Sequence, residues 1–268
     1  MRFGVSSYAF GWNVGFSGAV PDRPMDELEL LAVARDAGAN AVQIADNLPL
    51  DTFATDRLER LRQAADQAGL LVEVGFRRLT AERLARGAEI ARFFGSPFMR
   101  FVVDDRDYHP AIGEVEAMLR ANLSVLDGVT LAIENHDRFR AAELRGLLDR
   151  IDSPLIAVCL DTANSIGAGE GLDTVLRELG PLAVNVHLKD VAFARIDTLQ
   201  GFTVSGRPAG CGQIDFPELL ESLRRFGRCE SATVELWTPA EPTHAQTLEK
   251  ERRWAAESCE YLRPLVER

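Results

Sequence analysis

Four short apolar runs in the second half of the chain share one design: VTLAIE (Val129–Glu134), LIAVCLD (Leu155–Asp161), AVNVH (Ala183–His187) and ATVE (Ala232–Glu235). Each stops at a residue able to bind a metal ion. Side chains alternate across a strand, so counting back by twos from each end sorts the residues onto two faces. One face carries Ala132 and Thr130, Cys159 and Ala157, Asn185 and Ala183, Thr233 and Ser231, all of them small. The other carries Leu131, Ile133, Ile156, Val158, Val184, Val186 and Val234, mostly branched and apolar. Such strands are buried on both sides, by a tight interior on one and a layer of helices on the other.

Strand and helix patterns alternate along the whole chain. Arg2–Ser6, Ala41–Ala45, Leu70–Gly75 and Phe98–Val103 read as strands one to four. Helical periodicity marks Met25–Ala37 and Asp56–Ala68, closed by Gly38 and Gly69. A third helix runs from a Thr80 cap to Gly95, and a fourth covers Pro110–Leu126. Ala141–Ile151, Leu172–Leu179, Phe216–Phe226 and Thr243–Arg263 complete the set, with Asp215, Pro217 and Glu218 opening the seventh. Eight such units in 268 residues predict one α/β domain, residues 1–268, folded as a (β/α)8 TIM barrel. A doubly wound open sheet would open on a glycine-rich turn, and no G-x-G-x-x-G occurs. GWNVGFSG, after strand one, reads as a loop. Asp190–Gln213 reads as a long loop of the kind that covers a site, leaving the same face as His187.

Composition changes this picture only by exclusion. The hydrophobic fraction of 46% and charged fraction of 26% are ordinary for a globular protein. A net charge of −11 repels nucleic-acid backbones and anionic membranes. No apolar run approaches the roughly 20 residues of a membrane span. Cys159, Cys211, Cys229 and Cys259 show no C-x-x-C spacing, which fits a reducing compartment. MRFGVSSYAF enters a strand directly, without a signal-peptide layout. A cytoplasmic protein without nucleic-acid or membrane partners is expected.

In a barrel the C-terminal strand ends form the mouth, so Glu134, Asp161, His187 and Glu235 are expected to meet there. Three carboxylates and an imidazole suit one divalent ion, Mn2+, Mg2+, Co2+ or Zn2+. Without a cation the anions would repel and some would protonate. His136 and Lys189 follow two of these ends and are candidate substrate contacts. Arg207 offers a planar fork for a carboxylate or phosphate. Trp12, Phe16 and Trp237 lie at strand exits, where rings either stack on a sugar or pack. Arg77 and Arg78 follow strand three, where a phosphate contact is open but nothing in the sequence supports one.

IENH, CLDTAN, VHLKD and VELW, in this order, resemble motifs of the xylose-isomerase-like barrel superfamily of sugar isomerases and epimerases. The resemblance implies one divalent metal, Mn2+ first among the candidates, held by Glu134, Asp161, His187 and Glu235. It also implies acid–base catalysis by Glu134 and Glu235 on a small keto-sugar, through an enediolate. Two positions depart from the ketose epimerases. Asn164 stands where they carry the His of D-T-x-H, which makes it a candidate substrate contact, and Gly210-Cys211-Gly212 replaces G-E-G. VQIADNLPL and CLDTANS are instead similar to 3-oxo-isoapionate decarboxylases. That likeness implies the alternative, a metal-dependent lyase acting on a 3-oxo sugar acid. The superfamily's DNA-repair endonucleases need a His-rich three-metal site and a basic groove, and four histidines in an acidic chain exclude them. The expected partners are a small carbohydrate and, through the exposed last helix, a second copy of the chain.

Overall fold

A computed structural model describes residues 1–16 and 18–268. Its barrel strands are β1 (Arg2–Ser6), β2 (Ala41–Ile44), β3 (Leu71–Arg77), β4 (Phe98–Val102), β5 (Thr130–Glu134), β6 (Ile156–Asp161), β7 (Ala183–Leu188) and β10 (Ser231–Val234). They close in the order β1-β10-β7-β6-β5-β4-β3-β2, every pair parallel. This is the expected single TIM barrel. The outer helices are α2 (Glu27–Asp36), α3 (Thr55–Ala68), α4 (Ala81–Phe94), α5 (Ile112–Asn122), α6 (Ala141–Ile151), α7 (Leu172–Leu179), α8 (Phe216–Phe226) and α9 (His244–Val266). Their ends are set locally. Asp26 accepts from the backbone of Leu28 and Glu29, and Thr243 and Gln246 cap α9 reciprocally.

The two strand faces separate as the pattern requires. Leu131, Ile133, Val158 and Leu160 join the large core under the helices. Ala132 and Cys159 instead meet Phe98 in a small cluster inside the barrel. In the outer layer Phe76 and Phe101 are buried with ring centroids 5.4 Å apart. Burying each ring contributes roughly 1.5–3 kcal/mol.

Three local expectations change. Between β6 and β7 the register shifts, with Val158 opposite Ala183 but Cys159 opposite Asn185. The extra residue reverses the parity at the start of β7. Ala183 therefore joins the outer core and Val184 packs inside, the opposite of simple counting. Residues Ser7–Phe10 form a 3-10 turn that runs into a short helix, α1 (Gly11–Val14), within the expected loop. It is held by Glu251 of α9, whose carboxylate accepts from the backbone N–H groups of Trp12 and Asn13 at 2.9 Å each.

The long loop after β7 is largely an antiparallel hairpin, β8 (Asp190–Arg195) and β9 (Phe202–Arg207). Its base is tied by the buried Asp190. One carboxylate oxygen accepts from the backbone of Gly210 and Gly212 at 2.9 and 2.8 Å, the other from Val191 and Ile214 at 2.9 and 3.2 Å. A Cβ on Gly212 would lie 2.1 Å from Asp190 Oδ1, which accounts for glycine there. No helix of the described residues is long and apolar enough to cross a membrane.

Candidate metal centre and its cleft

The parallel register brings the ends of β5, β6, β7 and β10 to one side of the barrel mouth. His187 Nδ1 lies 3.7 Å from Glu134 Oε2, 3.7 Å from Asp161 Oδ2 and 3.4 Å from Glu235 Oε1. All four side chains are buried. Asp161 turns Oδ1 to the backbone N–H groups of Ala163 and Asn164, at 2.7 Å each. Its Oδ2 and His187 Nδ1 are left without hydrogen-bond partners. Buried polar atoms are normally satisfied, and these two face the same small space among carboxylate oxygens. Nearby, His187 Nε2 lies 2.7 Å from Gln43 Oε1. Donation to that oxygen puts one proton on Nε2, so that once the Nδ1 proton leaves, the Nδ1 lone pair faces the carboxylates, as in a metal-binding imidazole. This donor set fits one divalent cation.

Cationic side chains already balance part of the charge. Lys189 Nζ is 2.9 Å from Asp161 Oδ2, an ion pair without good hydrogen-bond angles, and 3.1 Å from Glu235 Oε2. Burial alone would raise the Asp161 pKa, but Lys189 and His187 together outweigh it and hold it at about 2. Burial would likewise raise Glu134, but Arg100 and His187 hold it well below the usual carboxylate range. Arg100, on β4, sends Nε to Glu134 Oε2 and Nη1 to Asp46 Oδ1, the latter at 2.7 Å. Gly75 makes room for it, because a Cβ there would sit 3.3 Å from Arg100 Cδ. Asn164 Nδ2 donates to the other oxygen of Glu134 at 2.7 Å, so both oxygens of that carboxylate are engaged.

A cleft of about 90 Å³ opens beside these residues, lined among others by Tyr8, Arg100, His136, Asn164, Lys189 and Trp237. His136, Asn164 and Lys189, all expected as substrate contacts, are thus brought together. Arg207 is not. Its guanidinium folds back onto Ser205 Oγ and Gly206 O, at 2.9 and 3.0 Å, because it ends the hairpin rather than a barrel strand. Trp12, Phe16 and Trp237 wall an adjoining aromatic pocket of about 460 Å³, which shares Tyr8 and Trp237 with the cleft. Trp12 also packs edge-on against Phe16 and donates to Thr238 O.

Sequence reasoning missed Arg100, Asp46, Tyr8 and Gln43. Two left a signal. Arg100 interrupts the apolar run PFMRFVV and Gln43 interrupts AVQIA. A polar residue at an inward position of a buried strand needs a partner inside the barrel.

Comparison with known proteins agrees with the fold. The family model described as xylose isomerase-like TIM barrel matches residues 31–265. The 3-oxo-isoapionate decarboxylase of Pectobacterium atrosepticum is 32% identical over 264 residues, covering 98% of this chain and 95% of that protein. D-psicose 3-epimerase from Clostridium cellulolyticum H10, solved with D-tagatose, superposes with a TM-score of 0.75 at 14% identity over 99% of each chain. A xylose isomerase-like barrel from Mycobacterium smegmatis, solved in complex with magnesium, gives 0.68 at 13% identity over 97% of each chain. At these identities the solved structures speak for the fold alone. Together with the family model and the decarboxylase relative, they lead to one conclusion: the chain belongs to the xylose isomerase-like TIM barrel family.

Proposed function

We propose that this protein is a divalent-metal-dependent decarboxylase of a 3-oxo sugar acid. The observation behind this is the state of Glu134, which accepts from the Arg100 guanidinium on one oxygen and from Asn164 on the other and is held ionised. Isomerisation or epimerisation asks this carboxylate to pull a proton from carbon. A general base works best with a pKa near the working pH, and Arg100 and His187 hold Glu134 well below that range. Decarboxylation asks for no initial base. A relative 32% identical along almost the whole chain carries a decarboxylase name.

The reaction divides simply. The bond between the carboxyl carbon and C2 breaks, its electron pair passes to the ketone oxygen, and CO2 departs from an enolate. A divalent ion on Glu134, Asp161, His187 and Glu235 supplies Lewis-acid stabilisation of that negative charge when bound. Lys189, an ammonium lining the cleft, donates toward the same oxygen. His136 lines the cleft and pairs Nδ1 with Asp137 Oδ1 at 2.6 Å, leaving Nε2 for a ligand. It is the residue suited to hold the proton that replaces the carboxyl group at carbon. Release of CO2 from 3-oxo sugar acids by the metal-loaded protein, with one ketose formed per CO2, tests the reading. Ketoses that gain carbon-bound deuterium in D2O, while no 3-oxo acid yields CO2, would instead establish the isomerase or epimerase.

A further inference from the structure

We propose that Arg77 and Arg106 form a subsite for the carboxylate of the substrate, an inference that rests on the sugar-acid reading above. A second cavity of about 460 Å³ adjoins the metal-side cleft, and Tyr8 and Arg77 line both. Its other charged side chains are Asp46, Arg83, Asp105 and Arg106. Their guanidinium groups are not equally free. Arg83 gives two donors to Asp51 and is spent. Arg77 gives only Nε to Asp46 Oδ2, at 3.2 Å, and that oxygen also accepts from the Tyr8 hydroxyl at 2.8 Å. The Arg106 side chain has no hydrogen-bond or ion-pair partner among the described residues.

The backbone around these two arginines is shaped for presentation. Arg78 holds a φ of 67°, a left-handed conformation uncommon outside glycine and costly to keep. At this bend the neighbouring arginines part company. Arg77 lines the cavity, while Arg78 pairs with Asp107 and lies over the Tyr108 ring, 5.0 Å from its centroid. Arg106 rides on a closed turn in which Asp105 and Tyr108 exchange backbone hydrogen bonds of 2.9 and 3.1 Å. Asp105 Oδ1 accepts from Arg106 N, and the Tyr108 hydroxyl donates to Leu79 O. Arg78 and Tyr108 thus fasten this turn to the exit of β3, with Arg106 on its tip and a wall of the cavity behind it.

The chemistry favours a carboxylate at this place. An anionic ligand approaching a chain of net charge −11 needs local guanidinium groups to be held. Their grip is loose by construction, since Arg77 shares its charge with Asp46 and Arg106 faces solvent. A loose grip suits a charge that vanishes as CO2 forms, because tight pairing would favour the substrate over the transition state. A 3-oxo acid keeps its ketone two bonds from its carboxylate, so that carboxylate would sit at the boundary of the two cavities, where Tyr8 and Arg77 line both.

Calorimetry on the metal-loaded full chain decides the matter with two unreactive probes, a five-carbon aldonate and the uncharged alditol of equal length. Wild type is expected to prefer the aldonate. Arg106→Ala and Arg77→Ala each lower aldonate affinity about tenfold and leave the alditol unchanged, and Arg106→Lys keeps part of the preference. Equal affinity of wild type for the two probes, or equal losses for both in Arg106→Ala, overturns the subsite. CO2 release is scored on the same preparations. An acid preference that Arg106→Ala abolishes, without CO2 from any 3-oxo acid, sustains the subsite and refutes the reaction. CO2 release without an acid preference does the reverse.

Discussion

Replacing Arg100 by methionine removes the one guanidinium that reaches both Glu134 and Asp46. Methionine keeps most of the stem volume, so the loss is chiefly of charge. Breaking a buried ion pair from one side costs about 3–5 kcal/mol. The lower end applies here. Asp46 keeps Tyr8 at 2.8 Å and Arg77 at 3.2 Å, and Glu134 keeps Asn164 at 2.7 Å. The metal-free variant is therefore expected to lose about 3 kcal/mol at pH 7. The pH dependence carries the sharper information. A folded-state pKa depressed as that of Glu134 is contributes stability above the unfolded value, and loses it as pH falls through the folded value. Without Arg100, burial is less opposed and the Glu134 pKa climbs. The deficit of the variant should then be largest at pH 7 and shrink toward pH 5. Saturating Mn2+ should also shrink it, because the ion supplies positive charge to the same carboxylate. Urea unfolding of both proteins in chelator at the two pH values measures this. A deficit under about 1 kcal/mol, or one that is equal at both pH values, would mean that Arg100 does not hold the Glu134 charge in the fold.

The cluster makes further predictions. Burial lowers the His187 pKa, but Cys159, Glu235 and Glu134 outweigh it and raise it well above the usual value. The Cys159 thiol is itself pushed up to about 11 by burial, so the carboxylates do this work at neutral pH. A raised pKa means that the imidazolium stabilises the metal-free fold below the unfolded value, an effect lost as pH rises through the folded one. Binding a divalent ion must expel this proton, so calorimetry in buffers of different ionisation enthalpy should find about one proton released at pH 7. Gln43→Leu removes the acceptor that fixes the His187 tautomer and should weaken metal affinity about 10- to 100-fold, read by competition with a chelating dye. Gly212→Ala drives a Cβ into Asp190, and the lost backbone hydrogen bonds should cost about 1–3 kcal/mol, seen as a lower thermal midpoint.

How much of this was legible in the chain differs from strand to strand. In β5, β6 and β10 the alternation of small and branched residues marks the inward face and the strand ends that converge at the mouth, because each strand is regular. In β7 the register shift at Val184 breaks the count, and nothing in AVNVH announces it. The hairpin after β7 hides for another reason. Phe193, Phe202 and Val204 are exposed, so its apolar positions mark no core. Arg100 was visible as a charge in an apolar strand, but its value depends on Asp46 and Glu134, each tens of residues away. Their meeting exists only once the barrel closes. Arg207 reads as a free fork in sequence, and only the turn of β9 onto its own backbone shows where the fork points.

If four strand ends grip one divalent ion, anomalous diffraction from a crystal of the protein equilibrated with Mn2+ will locate it. A single strong peak is expected, bounded by Glu134, Asp161, His187 Nδ1 and Glu235, with Lys189 displaced from Asp161. A peak elsewhere in the barrel mouth, or none at saturating Mn2+, would contradict it.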